Sequence, residues 1–243
     1  MKRNRWLIAL AAAGIHICIG SVYAWSVLTK PVMAGMGLSL SETTWAFSIA
    51  ILFLGLSAGF LGGIVERLGP RKSGLVSACF FASAMVGTAF AVYVKSAVLL
   101  YLFYGCIGGI GLGTGYITPV STLVKWFPLH RGFATGLAIM GFGFAALIAG
   151  PAMQYLTVTV GLAENFLILA AVYAAVMALS LFIGVYGSVD GEMKEEAERY
   201  TIAAEELPEA FDGLKVAQIT DTHIGPYYRN ADLANDLERS KAE

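Results

Sequence analysis

Residues 74–94, GLVSACFFASAMVGTAFAVYV, decide the class of this chain. The stretch contains no Asp, Glu, Lys or Arg, and as a helix rising about 1.5 Å per residue it can cross a hydrocarbon core about 30 Å thick. A helix of a soluble protein would carry a polar stripe, which is missing here. A lipid-exposed strand would leave backbone N–H and C=O groups without partners, so the stretch is predicted to be a transmembrane helix.

Five further apolar stretches accompany it. The predicted spans cover residues 6–28, 43–65, 73–94, 97–124, 133–159 and 165–186, and every Asp, Glu, Lys and Arg lies outside them. The first stretch is longer than the core of a signal peptide and has no clean small-x-small cleavage site, so it is interpreted as a retained helix. The predicted fold class is an all-α membrane protein, a six-transmembrane-helix bundle over residues 1–187, followed by a short soluble β-α tail.

Lys and Arg are distributed unequally between the two predicted sides. With the N-terminus inside, the cytoplasmic side collects Lys2, Arg3, Arg5, Arg67, Arg71, Lys72, Lys125 and Arg131. The outer loops hold Lys30 and Lys95. Because cytoplasmic loops of membrane proteins are enriched in Lys and Arg, both termini are predicted to be cytoplasmic, in a multi-pass protein of the plasma or inner membrane. Trp6 and Trp126 lie near the predicted interfaces, where they are expected to act as anchors.

Glycine recurs within residues 97–124 at helical spacing. Gly105, Gly109 and Gly113 are four residues apart, and Gly111 and Gly115 form a second stripe. The glycine pattern of dinucleotide-binding turns does not match, because the position three residues after Gly111 is not glycine. Small residues at this spacing let transmembrane helices approach closely, so the stripes predict helix packing.

Residues 62–72, GGIVERLGPRK, contain a helix stop, a tight Gly-Pro turn and charges of both signs. They resemble the cytoplasmic loop motif of the major facilitator superfamily, in which an acidic residue, usually Asp, stands at the position of Glu66. The resemblance implies a loop that latches the two halves of a transporter in the outward-facing state, and a merely topogenic cationic loop is the alternative. The candidate gating residues are Gly62, Glu66, Arg67, Gly69, Arg71 and Lys72.

A narrower resemblance covers about residues 5–187. Residues 20–26 (GSVYAWS), 30–32 (KPV), 113–116 (GTGY), 125–128 (KWFP) and 131–132 (RG) are similar to the oxalate:formate antiporter family. The resemblance implies transport of small mono- and dicarboxylates by alternating access. It also implies that Tyr23 and Tyr116 face the central substrate cavity. Trp25 and Trp45 are expected nearby, because polar-tipped aromatic side chains suit a carboxylate site. Helix packing by ordinary tyrosines is the alternative, and no enzymatic or catalytic residue is predicted in the membrane part.

Three features limit this resemblance. Tyr104 stands where many members of the superfamily carry a basic residue, and no Asp or Glu lies within a predicted span, so exchange or facilitated passage is favoured over proton coupling. His16 is expected to be neutral and hydrogen-bonded within the bundle rather than a proton shuttle.

Transporters of this superfamily bind substrate between two six-helix bundles, so a second bundle is the expected partner, with a homodimer as the other arrangement.

The composition changes after Val185. Residues 188–206 are rich in Glu and are interpreted as a solvated linker, whereas residues 207–243 predict a strand, a loop and a capped helix. The latter resemble the start of a calcineurin-like metallophosphoesterase, and that resemblance implies Asp221 and His223 as two ligands of an incomplete site for a weakly held divalent metal. A membrane-anchored metallophosphoesterase truncated after its first metal motif is therefore the alternative function, and the juncture is interpreted as a fusion, truncation or artificial join. No other cofactor and no nucleic-acid partner is predicted.

Overall fold

The computed structural model describes residues 5–127 and 130–189, and for Arg5 and residues 185–189 it describes the backbone alone. The helices are α1 (Arg5–Gly20), a 3₁₀ turn (Ser21–Ala24), α2 (Trp25–Met36), α3 (Leu40–Tyr93), α4 (Ala97–Leu100), a π-helical turn (Tyr101–Ile107), α5 (Gly108–Trp126), α6 (Arg131–Thr159) and α7 (Leu162–Val189). The predicted tail, and all of the predicted linker beyond Val189, lie outside the described residues.

Within the described residues, five continuous helices are long and apolar enough to cross a membrane. They are Trp6–Met36, Leu40–Tyr93, Ala97–Trp126, Arg131–Thr159 and Leu162–Gly184. The sequence predicts six spans, and the difference lies in α3, which contains 54 residues and would be about 80 Å long if it were straight.

A break at Gly69 divides α3 into two helical segments. Gly69 has φ 75° and ψ 167°, whereas helical geometry requires negative φ. The next residue, Pro70, has the fixed φ and the missing N–H that suit the first position of a new helix. The break therefore falls inside residues 62–72, where the sequence predicts a tight turn.

The first helical run is longer than predicted. It continues through the 3₁₀ turn and α2 to Met36, so Lys30 lies inside α2 and not in an outer loop, which corrects the sequence prediction. The reason is that Leu28, Val32 and Met36 are all buried at a spacing of four residues and extend the packed face. Gly37, with φ 72°, then ends the helix.

Helix α3 starts with a capping box between Ser39 and Glu42. The Ser39 hydroxyl accepts a hydrogen bond from the backbone N–H of Glu42, and the Glu42 carboxylate accepts one from the backbone N–H of Ser39 at 2.8 Å. Both bonds satisfy backbone donors that a helix start leaves without partners. A short connection of residues 37–39 therefore separates α2 from α3.

The π-helical turn and helix α5 pack against the first segment of α3 through the first glycine stripe. A Cβ atom on Gly109 would lie 2.7 Å from the carbonyl oxygen of Ala50, and one on Gly105 would lie 2.7 Å from Ile49. The Ser57 hydroxyl donates to the Gly109 carbonyl across this contact at 3.3 Å. The predicted close packing of this stripe is confirmed.

The second stripe faces the other segment of α3. A Cβ atom on Gly111 would lie 2.9 Å from the backbone nitrogen of Phe81, and one on Gly115 would meet Ser77 and Ile19. The Ser77 hydroxyl donates to the Gly111 carbonyl at 2.8 Å. Helix α5 is thus held between the two segments of α3.

Replacement of Gly109 by Ala should destabilise the bundle, because the new methyl group would meet the backbone of α3. We expect a loss of about 1–3 kcal/mol, the usual cost of overpacking a tight core. Gly108→Ala is the matched control, since its Cβ would meet Ala84 at an ordinary 3.5 Å. Both changes bring the same gain in helix propensity. Thermal unfolding of the purified variants in detergent checks this, and equal midpoints would contradict the close packing.

Candidate functional site

The predicted tyrosines meet at one aromatic ring. Tyr23 lies in the 3₁₀ turn between α1 and α2, Tyr116 lies on α5, and both contact Phe142 of α6. The ring centroids are 5.1 Å apart for Tyr23 and Phe142 and 5.4 Å apart for Tyr116 and Phe142, with edge-to-face geometry. Tyr23 is 47% exposed and Tyr116 is half-buried. Three helical runs therefore bring two phenols to a shared apolar partner.

His16 lies beside this aromatic group and is fully buried. Its ring centroid is 5.7 Å from that of Tyr116 and 6.0 Å from that of Phe142. Nε2 lies 3.3 Å from the Tyr116 carbonyl oxygen, and only a protonated Nε2 can donate to a carbonyl. Nδ1 has no hydrogen-bond partner among the described residues. The geometry agrees with the prediction of a histidine bonded within the bundle.

Trp25 belongs to a different part of the core. It is buried, and its ring centroid lies 4.2 Å from that of Tyr104 in the π-helical turn. Tyr104 in turn contacts Phe166 of α7 at 6.4 Å. Residues two apart on a helix point in nearly opposite directions, so Tyr23 and Trp25 separate into two groups.

Trp45 lies at the start of α3 and is 58% exposed. It lines a shallow, open depression of about 520 Å³ with Leu40, Ser41, Thr44 and Ser48. All five residues come from the first turns of α3, so this depression is the surface of one helix and not a cavity between helices. No ring contact in the described part of the chain joins Trp25 or Trp45 to Tyr23 or Tyr116.

The predicted gating loop contacts the end of α5. Glu66 Oε1 lies 3.9 Å from Lys125 Nζ, and both side chains are more than half exposed. Exposed pairs of this kind contribute at most about 1 kcal/mol. A Cβ atom on Gly62 would lie 3.8 Å from Ile117, which places this residue against α5 as well.

Buried hydroxyl groups make a second link between the loop and α5. The Ser73 hydroxyl donates to the Gly69 carbonyl at 2.7 Å, and the Thr118 hydroxyl donates to Ser73 Oγ at 3.0 Å. Ser73 and Thr118 are both buried. The remaining gating candidates, Arg67, Arg71 and Lys72, have exposed side chains.

Sequence reasoning missed the residues that join these groups. Phe142, the shared partner of the two tyrosines, lies in an apolar run and has no polar atom that marks it. The partnership of Ser73 with Thr118 depends on the register between α3 and α5, which a single sequence does not encode visibly. The sequence assigns Lys125 and the loop that contains Glu66 to one side of the membrane, but their pairing was not predicted.

The predicted metal ligands Asp221 and His223 lie outside the described residues. Within residues 5–127 and 130–189, no group of three or more His, Cys, Asp or Glu side chains could hold a metal ion.

The fold defines a class, the multi-pass helical membrane proteins. Its helices pack closely at glycine residues, and its interior contains a group of aromatic side chains with polar tips. Residues 6–218 match the family model of the Major Facilitator Superfamily. The chain belongs to this superfamily, whose members are transporters of small molecules and not enzymes, so the predicted superfamily is confirmed and a lipid bilayer is its environment.

The chain matches part of the length of each individual relative. An uncharacterized MFS-type transporter, YhjX of Escherichia coli, is 29% identical over 70% of the chain and 42% of its own length. The apicoplast pyruvate carrier 1 of Toxoplasma gondii is 29% identical over 62% of the chain and 35% of its own length. The oxalate:formate antiporter of Oxalobacter formigenes is 28% identical over 79% of the chain and 45% of its own length. The chain thus spans less than half the length of these curated relatives, and they give no support to the metallophosphoesterase alternative.

Replacement of Gly69 by Ala should destabilise the chain without preventing membrane insertion. A side chain at φ 75° and ψ 167° costs about 1–3 kcal/mol, whereas the apolar spans that drive insertion are unchanged. Gly63→Ala is the matched control, because a Cβ atom there meets nothing within 4 Å. The measurements are the amount of chain in the membrane fraction and the midpoint of thermal unfolding. Equal midpoints for the two variants would show that the turn does not require glycine.

Proposed function

We propose that this chain forms the N-terminal six-helix half of a transporter that moves small organic anions of the monocarboxylate or oxalate type. The observation that carries the proposal is the meeting of Tyr23 and Tyr116 on Phe142. Two relatives support the substrate class, since one is a pyruvate carrier and another an oxalate:formate antiporter. On this proposal, the chain supplies one half of the substrate site.

The break in α3 supports six spans. The run of 54 residues is much longer than the roughly 20 residues that cross a bilayer, and Gly69 divides it into segments of suitable length. The residues around Gly69 include Arg67, Arg71 and Lys72, which favour the cytoplasmic side. An even number of spans then places both ends of the bundle on that side.

The tyrosines would bind the carboxylate by hydrogen bonds. A phenol hydroxyl can donate to a carboxylate oxygen, and the apolar wall of Phe142 lowers the local dielectric and strengthens that bond. Hydroxyl donors alone do not balance the loss of hydration of a negative charge. No Lys or Arg lies within the predicted spans, so the second half would supply the cation.

One face of α3 suits a protein partner better than lipid. A Cβ atom on Gly55, Gly59 or Gly63 would meet nothing within 4 Å, and these glycines repeat every four residues. Lipid tails gain little from small residues, whereas a neighbouring helix can approach them closely. We assign this face to the second six-helix half rather than to a homodimer, because a symmetric pair would still lack the cation.

The loop around Glu66 would regulate the balance between conformers. Its ion pair with Lys125 is exposed and weak, so it can break and form again when the halves rock. The buried Ser73–Thr118 hydrogen bond keeps the loop attached to α5 meanwhile. The absence of Asp and Glu from the predicted spans favours exchange or facilitated passage.

The topology can be tested by reporter fusions. We expect a reporter after residue 189 and one at the N-terminus to be active on the cytoplasmic side, because six spans return the chain to the side where it started. A reporter placed after Lys95 should be active on the outer side. A tail reporter on the outside would contradict the six-span topology.

Uptake into proteoliposomes tests the substrate. The chain alone should not exchange labelled oxalate, formate or pyruvate, whereas co-reconstitution with the second half of the Oxalobacter formigenes antiporter should give saturable exchange. Tyr23→Phe and Tyr116→Phe should each raise KM about tenfold or more, the effect of losing a hydrogen bond to a charged group. Tyr155→Phe, an exposed tyrosine on α6, is the control and should change nothing.

Two outcomes oppose the proposal. Saturable exchange by the chain alone would show that no second half is required. Unchanged KM values for both phenylalanine variants would show that the tyrosines only pack against Phe142.

A further inference from the structure

One side of the 3₁₀ turn and α2 carries an exposed stripe of side chains. Its members, three or four residues apart, are Tyr23, Ser26, Lys30 and Ala34. The buried residues of the same run have the same spacing two positions further on, and they are Trp25, Leu28, Val32 and Met36. Residues two apart on a helix point in nearly opposite directions, so the exposed stripe lies on the face turned away from the core. We call it the polar stripe.

The polar stripe differs from a surface that meets lipid. Between Leu167 and Phe182, every exposed residue of α7 is Ala, Leu, Val or Phe. The polar stripe lies in an equally apolar helical run, yet it presents a phenol, a hydroxyl and an ammonium group. Charged side chains within membrane spans almost always face the bundle interior or a water-filled cavity. The polar stripe therefore suits water and the second six-helix half better than acyl chains.

Lys30 lies between the end of α2 and the candidate site. It is seven residues after Tyr23, which corresponds to about 10 Å of helix, and six residues before Met36, which corresponds to about 9 Å. Side chains on a helix lean towards its N-terminus, and for Lys30 this is the direction of Tyr23. On the proposed topology this end of α2 is the outer one. An anion that enters from outside along the polar stripe would meet Lys30 before it meets Tyr23.

Lys30 also lacks a counter-ion within the part of the chain that the structure describes. Its exposed side chain makes no ion pair and no hydrogen bond there. Two carboxylates lie at the same end of the bundle. The Glu42 carboxylate accepts hydrogen bonds from the backbone N–H and the hydroxyl of Ser39, and Glu164 lies in the first turn of α7. Neither pairs with Lys30, so its charge is available to a soluble anion.

We infer that Lys30 recruits the carboxylate substrate at the outer entrance, one step before Tyr23. The inference rests on the proposed function and adds an entry residue to it. A cation in an entrance with low-dielectric walls raises the local concentration of anions. The Ser26 hydroxyl, between Lys30 and Tyr23 on the stripe, can donate to the same carboxylate. Lys30 does not replace the cation expected from the second half, because it lies about two helical turns from Tyr23.

The first test measures anion attraction without transport. Ser26→Cys places a thiol one turn from Lys30, in the full chain co-reconstituted with the second half of the Oxalobacter formigenes antiporter. The probes are two membrane-impermeant methanethiosulfonate reagents, one anionic and one cationic. Lys30→Gln should lower the ratio of the anionic to the cationic reaction rate about tenfold, because a unit charge about 6 Å away favours one reagent and opposes the other. Lys30→Arg should keep the ratio.

Three controls accompany this test. The parent chain, which has cysteines of its own, sets the background of the reaction. Leu179→Cys, at a position that is 58% exposed on α7, should react no faster than the parent chain. Lys95→Gln removes an exposed cation at the same end of the bundle but away from the polar stripe, and it should leave the ratio unchanged. If Lys30→Gln does not fold, as judged by circular dichroism, the chain that keeps Lys30 still gives a result, because high salt should reduce its ratio.

The second test connects Lys30 to transport. At low ionic strength, Lys30→Gln should raise the outer KM about threefold for formate and about tenfold for oxalate, since the interaction energy doubles with the charge of the anion. The kcat should stay the same, and high salt should remove the difference. Tyr23→Phe should raise KM at both salt concentrations, because a hydrogen bond is not screened in this way.

The outcomes separate this inference from the transport proposal. A Ser26→Cys chain that reacts no faster than its parent would show that the polar stripe faces lipid, and an unchanged ratio in Lys30→Gln would show that Lys30 attracts no anion. Either result overturns the inference, as does carboxylate exchange with a KM that Lys30→Gln leaves unchanged. A tenfold change in the ratio without exchange of any carboxylate would support anion recruitment and contradict the proposed function.

Discussion

The close approach of α5 to both segments of α3 is the contact on which the rest of the bundle depends. In a bilayer the hydrophobic effect does not hold helices together, so short distances between backbones and hydrogen bonds across helices must do so. The glycine stripes on α5 allow those distances, and Ser57 and Ser77 add a hydrogen bond on each side. The same helix carries Tyr116 and, in its last turn, Lys125, so the position of α5 fixes both the aromatic group and the partner of the predicted gating loop.

The sequence predicts the elements of this fold much better than their partners. Apolar length alone locates the helical runs, because lipid permits few alternatives to a helix. The glycine spacing also predicts which faces of α5 pack. The first run was predicted to end at residue 28, whereas the buried series Leu28, Val32 and Met36 continues the helix to Met36.

The candidate tyrosines came from the family resemblance, which implies that Tyr23 and Tyr116 face the central cavity, and in the structure the two phenols meet on one ring. Phe142 has no polar atom that would mark it in the sequence, although both tyrosines contact it. Trp25 was expected beside Tyr23 because polar-tipped aromatic side chains suit a carboxylate site, whereas in the structure its ring packs against that of Tyr104.

The two segments of α3 are joined through a single non-helical residue. Gly69 is the one residue inside α3 whose backbone departs from helical geometry, so the two segments are joined without a flexible loop between them. If the two halves rock as proposed, a tilt of one segment would reach the other within a residue or two, and the Ser73–Thr118 hydrogen bond would pass it to α5. The turn would then convert a change of angle in one helix into a displacement of its neighbours.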